Sequence, residues 1–160
     1  MTELQNVVLA TLSGAALPEV AEVYTRLQHL DAYYPDFERW YWQSVVPGLL
    51  DGTRTIRAIR SRDRVLAVLI AKKTDEERKL CTLWVDEIYA GKGLGVRLIN
   101  EGRQWVGSNT PLASVPEERM GELSGILGRM GFVVTEALES FYRPGKTEYV
   151  FNGRLSTING

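Results

Sequence analysis

The sequence has little of the features that assign a protein to a class at once. It holds one cysteine and one histidine, and its formal net charge at pH 7 is -1. A single cysteine excludes a disulfide framework. A net charge near zero leaves no overall field that would draw the protein to nucleic acid or to an anionic membrane. We therefore expect neither nucleic acid nor a membrane as a partner.

Long hydrophobic runs are absent as well. The longest, VLAVLIA, covers residues 65–71, which is far shorter than the roughly 20 residues that cross a bilayer. The opening segment MTELQNVVLATLSG lacks the cationic flank and the apolar centre of a secretory signal. We therefore expect a cytoplasmic protein. No repeat or low-complexity linker divides the chain, so the 160 residues predict one domain over 1–160, with a core at about 5–153.

The first half of the chain predicts two helices followed by three strands. Apolar side chains recur at helical spacing from Pro18 to about Asp31, and a second helix is predicted from Asp36, as its N-cap, to about 47–48. The middle strand is apolar on both faces, which is typical of a central strand. The three strands are predicted at 54–60, 64–73 and 79–85.

The second half alternates helices with strands. A glycine-rich turn leads to a helix that ends at 107–111, and a short strand is predicted at 112–115. Another helix follows between Pro116 and Gly131, and two strands, 132–142 and 147–153, flank a closing turn. The order ααβββαβαββ indicates a mixed α/β fold with a mostly antiparallel central sheet flanked by helices.

The glycine-rich turn, in the segment VDEIYAGKGLGVRLI, is typical of an anion site. A helix that begins after such a turn offers unpaired backbone N–H groups and a partial positive charge. The dinucleotide fingerprint fails because Val96 replaces its third glycine, and the P-loop fails because Lys92 is followed by Gly93. The alternative is that the glycines only form a tight turn.

The segment LWVDEIYAGKGLGVRLI resembles the acetyl-CoA segment of the GCN5-related N-acetyltransferase (GNAT) family. In that family a strand of the form L-x-V leads to [QR]-x-x-G-x-[GA] and a helix. Here Leu83 and Val85 match the strand, and Gly93 and Gly95 match the two glycines. The family's order of elements matches nearly the whole chain.

The resemblance implies transfer of an acetyl group from acetyl-CoA to an amine, by direct attack in a ternary complex and with no metal. Backbone amides from Gly91 to Val96 would hold the pyrophosphate of the co-substrate, and the edge of the strand Leu83–Val85 would pair with its pantetheine arm. The predicted cofactor-binding residues are Leu83, Trp84, Val85, Ala90, Gly91, Lys92, Gly93, Leu94, Gly95 and Val96.

Three positions depart from the family's pattern. Ala90 replaces the Gln or Arg of the turn, and Lys92 either compensates with its charge or lies in solvent. Leu127 stands where many members carry a tyrosine that protonates the leaving thiolate, and Met120 replaces the usual Asn at the start of the same helix. These departures leave the catalytic acid and base open.

Acetyl transfer needs a base because an amine with a pKa of about 10.4 is almost entirely protonated at pH 7. The candidate catalytic residues are Tyr142, as the acid, with Glu87 and Glu117. Asp86 and Tyr149 are further candidates, and for each of the five a structural or solvated role is the alternative. We expect Cys81 to be a small core residue rather than a reactive thiol.

The segment HLDAYYPDFERWYW, residues 29–42, holds six aromatic residues, and the resemblance implies that it lines the acceptor pocket. Tyr33, Tyr34 and Asp36 are the candidate substrate-binding residues, and aromatic walls with carboxylates suit a cationic amine. We expect His29 to be a packing or surface residue. The basic residues between 54 and 79 predict a solvated sheet edge, with a phosphate-binding face as the alternative.

Two other functions stay open at this point. One is a CoA-binding or interaction module without turnover, which the missing family residues suggest. The other is a toxin-like acetyltransferase that acts on aminoacyl-tRNA. The acceptor is predicted to be an amine-bearing small molecule or protein, and a homodimer is one explanation of the many aromatic residues.

Overall fold

A seven-stranded sheet runs through the part of the chain that the computed structural model describes, residues 4–8 and 17–155. The strands are β1 (Leu4–Val8), β2 (Arg54–Ser61), β3 (Arg64–Lys73), β4 (Arg78–Val85), β5 (Leu112–Pro116), β6 (Val134–Glu139) and β7 (Thr147–Phe151). The α-helices are α1 (Leu17–Leu27), α2 (Phe37–Trp40), α3 (Val46–Asp51), α4 (Leu94–Val106) and α5 (Met120–Arg129).

The sheet is antiparallel except at one pair of neighbouring strands. The strand order is β1-β2-β3-β4-β5-β7-β6, and all neighbouring strands are antiparallel except β4 and β5. These two pair only at Lys79 with Leu112 and at Leu80 with Ala113. Beyond that point β4 and β5 have no paired residues, and a gap opens between them.

The predicted fold class is confirmed, and most helices and strands begin within a few residues of their predicted positions. The prediction missed β1, whose Leu4–Val8 pairs with β2. Because β1 covers one side of β2 and the next strands are interior, the prediction of a solvated edge at 54–79 is wrong.

The second helix continues past its predicted end at 47–48, to Asp51. A π-helical turn at Tyr41–Val45 shifts the hydrogen-bond register, which puts Pro47 in the first turn of α3, where no N–H is needed. Asp36 stands at the predicted N-cap, but its side chain makes no capping bond.

The closing strand pair is shorter than predicted. The strand predicted at 132–142 is only β6, and Ser140 adopts a positive φ of 57° directly after it. Tyr142 therefore lies in the turn that follows β6 and not in a strand. This turn brings the Tyr142 ring against Tyr34.

The two faces of the sheet carry separate cores. Helices α4 and α5 cover one face with an apolar cluster that includes Leu69, Leu98 and Leu127, so Leu127 is a core residue. The segment from α1 to α3 covers the other face with a second cluster that includes Tyr41 and Ile56. In the described part of the chain, no helix is long and apolar enough to span a bilayer.

Candidate active site

The glycine turn places unpaired backbone donors at the start of α4. Gly91 and Gly93 have φ angles of +77° and +83°, a region that favours glycine. The first intrahelical bond runs from the Arg97 amide to the Gly93 carbonyl at 3.1 Å. The amides of 94–96 therefore lie in the first turn without an intrahelical acceptor, and no side chain caps them. Ala90 and Lys92 are exposed beside this turn.

The edge of β4 faces the gap through alternate residues. Arg119, buried in the short turn after β5, donates from Nη2 to the carbonyl oxygen of Leu83 at 2.8 Å. Backbone groups two residues apart in a strand point to the same side, so the amides of Leu83 and Val85 both face the gap. The backbone of Trp84 faces β3. Its indole lies on the sheet face that is covered by the segment from α1 to α3, where the Arg26 guanidinium is 4.8 Å from the ring centroid.

A β-bulge lies where β4 leaves β5. Ile70 pairs with Thr82 and Ala71 with Leu80, which leaves Cys81 without a partner on β3. Such an extra residue turns neighbouring side chains toward one face. Cys81 and Thr82 consequently both line a cavity on the face covered by the segment from α1 to α3.

This cavity has a volume of about 110 Å³ and contains three of the sequence-predicted site residues, Tyr34, Asp36 and Tyr142. A smaller cavity of about 40 Å³ lies in the gap, and Tyr34, Cys81, Thr82 and Ser114 line both. The two spaces are therefore adjacent. The other lining residues of the larger cavity are Pro35, Phe37, Trp40 and Lys79.

A buried carboxylate that the sequence analysis missed lies next to Tyr34, which lines both cavities. Glu148 of β7 is 3% exposed, and its Oε2 accepts a hydrogen bond from the Tyr34 hydroxyl at 2.8 Å. Burial raises the pKa of Glu148 although bonds from Tyr34 and Ser114 oppose the shift. The alternation along β7 could have indicated this burial, because Glu148 lies two residues before Val150 and therefore points to the same, buried face of the strand.

Two tyrosines complete the polar cluster around Glu148. The ring of Tyr142 lies edge-on against Tyr34, with their centroids 5.1 Å apart. Burial raises the pKa of both hydroxyl groups, and the neighbouring Glu148 charge raises each further. Both tyrosines therefore keep their protons at neutral pH and act as hydrogen-bond donors.

Comparison with known proteins identifies the fold. No family model and no curated protein matches the chain, but solved structures do. A GNAT-family protein from Desulfovibrio desulfuricans superimposes with a TM-score of 0.68 at 17% identity, over 94% of this chain and 97% of that one. A GNAT-family acetyltransferase from Bacillus cereus gives 0.62 at 14% identity, over 94% and 97%. The chain has the GNAT acetyltransferase fold.

A third match with the same fold was solved with a ligand. A protein from Bacillus anthracis, assigned as a streptothricin acetyltransferase and in complex with acetyl-CoA, gives a TM-score of 0.55 at 15% identity, over 65% of this chain and 64% of that one. The GNAT resemblance stated from the sequence is thus confirmed for the fold.

The other residues predicted from the sequence to act in catalysis or to bind the acceptor lie outside both cavities. Glu117 is exposed, and its Oε1 accepts a hydrogen bond from the Thr147 amide at 2.6 Å. Glu87 is exposed in the short turn after β4, and Tyr149 packs in the apolar core beneath α5. Tyr33 packs against the guanidinium of Arg143 at 5.7 Å.

Asp86, at the end of β4, is held in an ion-pair cluster. Its Oδ2 lies 2.5 Å from Nη2 of Arg26 and 3.2 Å from Nη2 of Arg64, and its Oδ1 accepts from the Ile88 amide. Burial alone would raise the pKa of Asp86, but the amide of Ile88 and the two guanidinium groups lower it below its ordinary value. In the described residues, no group of three or more ligating side chains is placed to hold a metal ion.

Proposed function

We propose that this protein is an acetyl-CoA-dependent acetyltransferase that moves the acetyl group to an amine by direct attack. The observation that carries the proposal is the gap between β4 and β5. One end of the gap meets the unpaired amides at the start of α4, and the other end meets a cavity backed by Glu148 and Tyr34. The acetyl-CoA complex of the Bacillus anthracis protein supports the co-substrate.

The residues of the turn fit a pyrophosphate. Nothing lies within 4 Å of the position that a Cβ would take on Gly91 or Gly93, so the backbone is open to a ligand there. The amides of 94–96 and the helix dipole favour an anion, and Lys92 adds a positive charge nearby. Gly95 has another role, because its Cβ would lie 2.9 Å from Cδ1 of Ile126, so it permits close packing of α4 against α5.

The edge of β4 fits the amide-rich arm of acetyl-CoA. The amides of Leu83 and Val85 face the gap, whereas the Leu83 carbonyl is already bonded to Arg119. An added extended chain would complete the sheet where β5 has turned away. A strand amide there also stabilises the negative charge that develops on the thioester oxygen.

Glu148 and the two tyrosines supply the proton transfers. As the C–N bond forms, the amine proton passes to the Tyr34 oxygen while the Tyr34 proton passes to Glu148, whose raised pKa makes it a stronger base than an ordinary carboxylate. As the C–S bond breaks, the protonated Tyr142 hydroxyl donates to the thiolate. The proton taken up by Glu148 then returns to the Tyr142 oxygen through the Ser114 hydroxyl, which is hydrogen-bonded to both side chains. Tyr142 thus takes the role that the family's tyrosine has at the position of Leu127.

Thermal unfolding with acetyl-CoA tests the proposal first. A ligand at 100 times its Kd adds about 2.7 kcal/mol to the free energy of unfolding, so a clear rise in Tm is expected with acetyl-CoA and a smaller one with ATP or NAD. No rise at millimolar acetyl-CoA would overturn the proposal. Binding without thiol release above hydrolysis, across a panel of amines, would favour the CoA-binding module.

Substitution of Gly93 tests the anion site. Asp and Asn both tolerate a positive φ, but only Asp places a negative charge against the pyrophosphate. We expect Gly93→Asp to weaken acetyl-CoA binding by about tenfold or more relative to Gly93→Asn, which corresponds to about 1.4 kcal/mol or more. Equal affinities, measured by calorimetric titration, would mean that the turn does not hold an anion.

A further inference from the structure

A buried lysine points into the larger cavity. Lys79 is 4% exposed, lines this cavity and lies where β4 still pairs with β5. Its ammonium has no hydrogen-bond or ion-pair partner in the described part of the chain. The ammonium is not among the fully buried side-chain atoms that lack a hydrogen bond, so it is open to the cavity. A cation that faces a cavity without an ion pair can bind an anionic ligand group there.

A second cation lies behind the wall of the same cavity. Arg54 is 5% exposed, and its Nη1 donates to Sγ of Cys81 at 3.4 Å while its guanidinium lies 5.6 Å from the Trp40 ring centroid. Cys81 and Trp40 both line the cavity. Two cationic side chains, Lys79 and Arg54, therefore lie at this cavity.

Another part of the cavity lining is polar and lies next to a carboxylate. Tyr34, Ser114 and Tyr142 line the cavity there, and Glu148 lies behind them. No oxygen of Glu148 lies within the 4 Å of the Lys79 ammonium that would make an ion pair. Burial raises the pKa of Glu148, but the Lys79 charge nevertheless acts on this carboxylate and lowers its pKa in part. The cavity thus has a cationic group and a proton-accepting group near each other but not joined in an ion pair.

We propose that the acceptor is a small molecule carrying both an amine and a carboxylate, with its carboxylate bound by Lys79 and its amine placed at Tyr34. This inference rests on the proposed acetyltransferase function and names its substrate class. A carboxylate fits better than a phosphate because a dianion would also meet the charge of Glu148. The volume of about 110 Å³ holds several water molecules, which suits the reacting end of an amino acid.

Matched acid and amide acceptors test this inference. Thiol release from acetyl-CoA is measured with glycine and glycinamide, with β-alanine and β-alaninamide, with γ-aminobutyrate and its amide, and with phosphoethanolamine and ethanolamine. We expect at least one acid to exceed its amide in kcat/KM by about tenfold or more. Amides that equal or exceed every acid would overturn the inference, as would a preference confined to phosphoethanolamine.

Variants of Lys79 locate the preference. Lys79→Met is expected to bring the acid-to-amide ratio close to one, and Lys79→Arg is expected to keep part of the preference. The control Lys146→Met, which removes an exposed lysine, should keep the carboxylate preference in full. An unchanged ratio in Lys79→Met would overturn the inference while leaving the proposed function intact. A rise in Tm with acetyl-CoA verifies that each variant is folded.

Titration with the N-acetylated acids and their amides gives a second readout that needs no turnover. Tighter binding of an acid product, lost in Lys79→Met, supports the inference even where no amine is acetylated. Equal binding of acids and amides by the unsubstituted protein contradicts it. Failure of acetyl-CoA itself to bind would instead contradict the proposed function, so the two failures are distinguishable.

Discussion

Asp86 and Glu148 are two buried carboxylates in one sheet, and their surroundings act on them in opposite directions. Asp86 is 6% exposed and lies between two guanidinium groups, which help to lower its pKa. Glu148 is 3% exposed and accepts from a neutral tyrosine hydroxyl, and burial raises its pKa. Burial alone therefore does not tell a structural carboxylate from a functional one. The balance between burial and the neighbouring charges and hydrogen bonds sets the direction of each pKa shift.

The two carboxylates also differ in their effect on stability as the pH changes. Because the folded pKa of Asp86 lies below the unfolded value, its contribution is present above the unfolded pKa and is lost as the pH falls through the folded one. The contribution of Glu148 has the opposite sign. Because its pKa is higher in the folded than in the unfolded state, it lowers the free energy of unfolding once the pH rises above the unfolded pKa. A group kept ready to accept a proton thus lowers the stability of the protein at neutral pH.

The largest effect is expected from Glu148→Gln. The amide can still accept the Tyr34 hydroxyl but takes up no proton, so kcat should fall by about 100-fold or more while acetyl-CoA affinity and the fold are kept. The acid limb of the pH–rate profile, which reports Glu148, should disappear. Glu139→Gln, on the exposed end of β6, is the control. A variant that keeps both the rate and the acid limb would remove Glu148 from the mechanism.

Asp86→Asn is the mirror experiment on the structural carboxylate. Arg26 and Arg64 would lose their partner, and we expect the free energy of unfolding to fall by about 2 kcal/mol at pH 7. This difference should shrink as the pH falls below about 3.8, because the unfolded chain then takes up a proton at Asp86, and it should vanish once the folded carboxylate is protonated at a lower pH. Urea unfolding at several pH values measures it. A difference that stays constant with pH would show that packing, not charge, is lost.

The comparison also shows what the sequence can and cannot predict. Patterns within one segment predicted α4 and the glycine turn, and they singled out Tyr34 and Asp36, which line the larger cavity. The role of Glu148 depends on a bond to Tyr34, 114 residues away, and that of Asp86 on Arg26, 60 residues away. Such partners become visible only after the sheet has formed, so the sequence proposed Asp86 as a base and missed Glu148.

The two arginines around Asp86 sharpen the comparison within the structural cluster. Arg26 is 28% exposed, and it also donates to the Val65 carbonyl and covers Trp84, whereas Arg64 is 55% exposed and lies 3.2 Å from the same carboxylate oxygen. Exposed ion pairs contribute about 0–1 kcal/mol. We therefore expect Arg64→Met to lower the free energy of unfolding by less than about 0.5 kcal/mol, and Arg26→Met by about 1–2 kcal/mol. Equal losses of unfolding free energy in the two variants, measured by urea unfolding, would contradict this expectation. The two arginines would then stabilise the fold only through their charge near Asp86, and the additional contacts of Arg26 would contribute nothing.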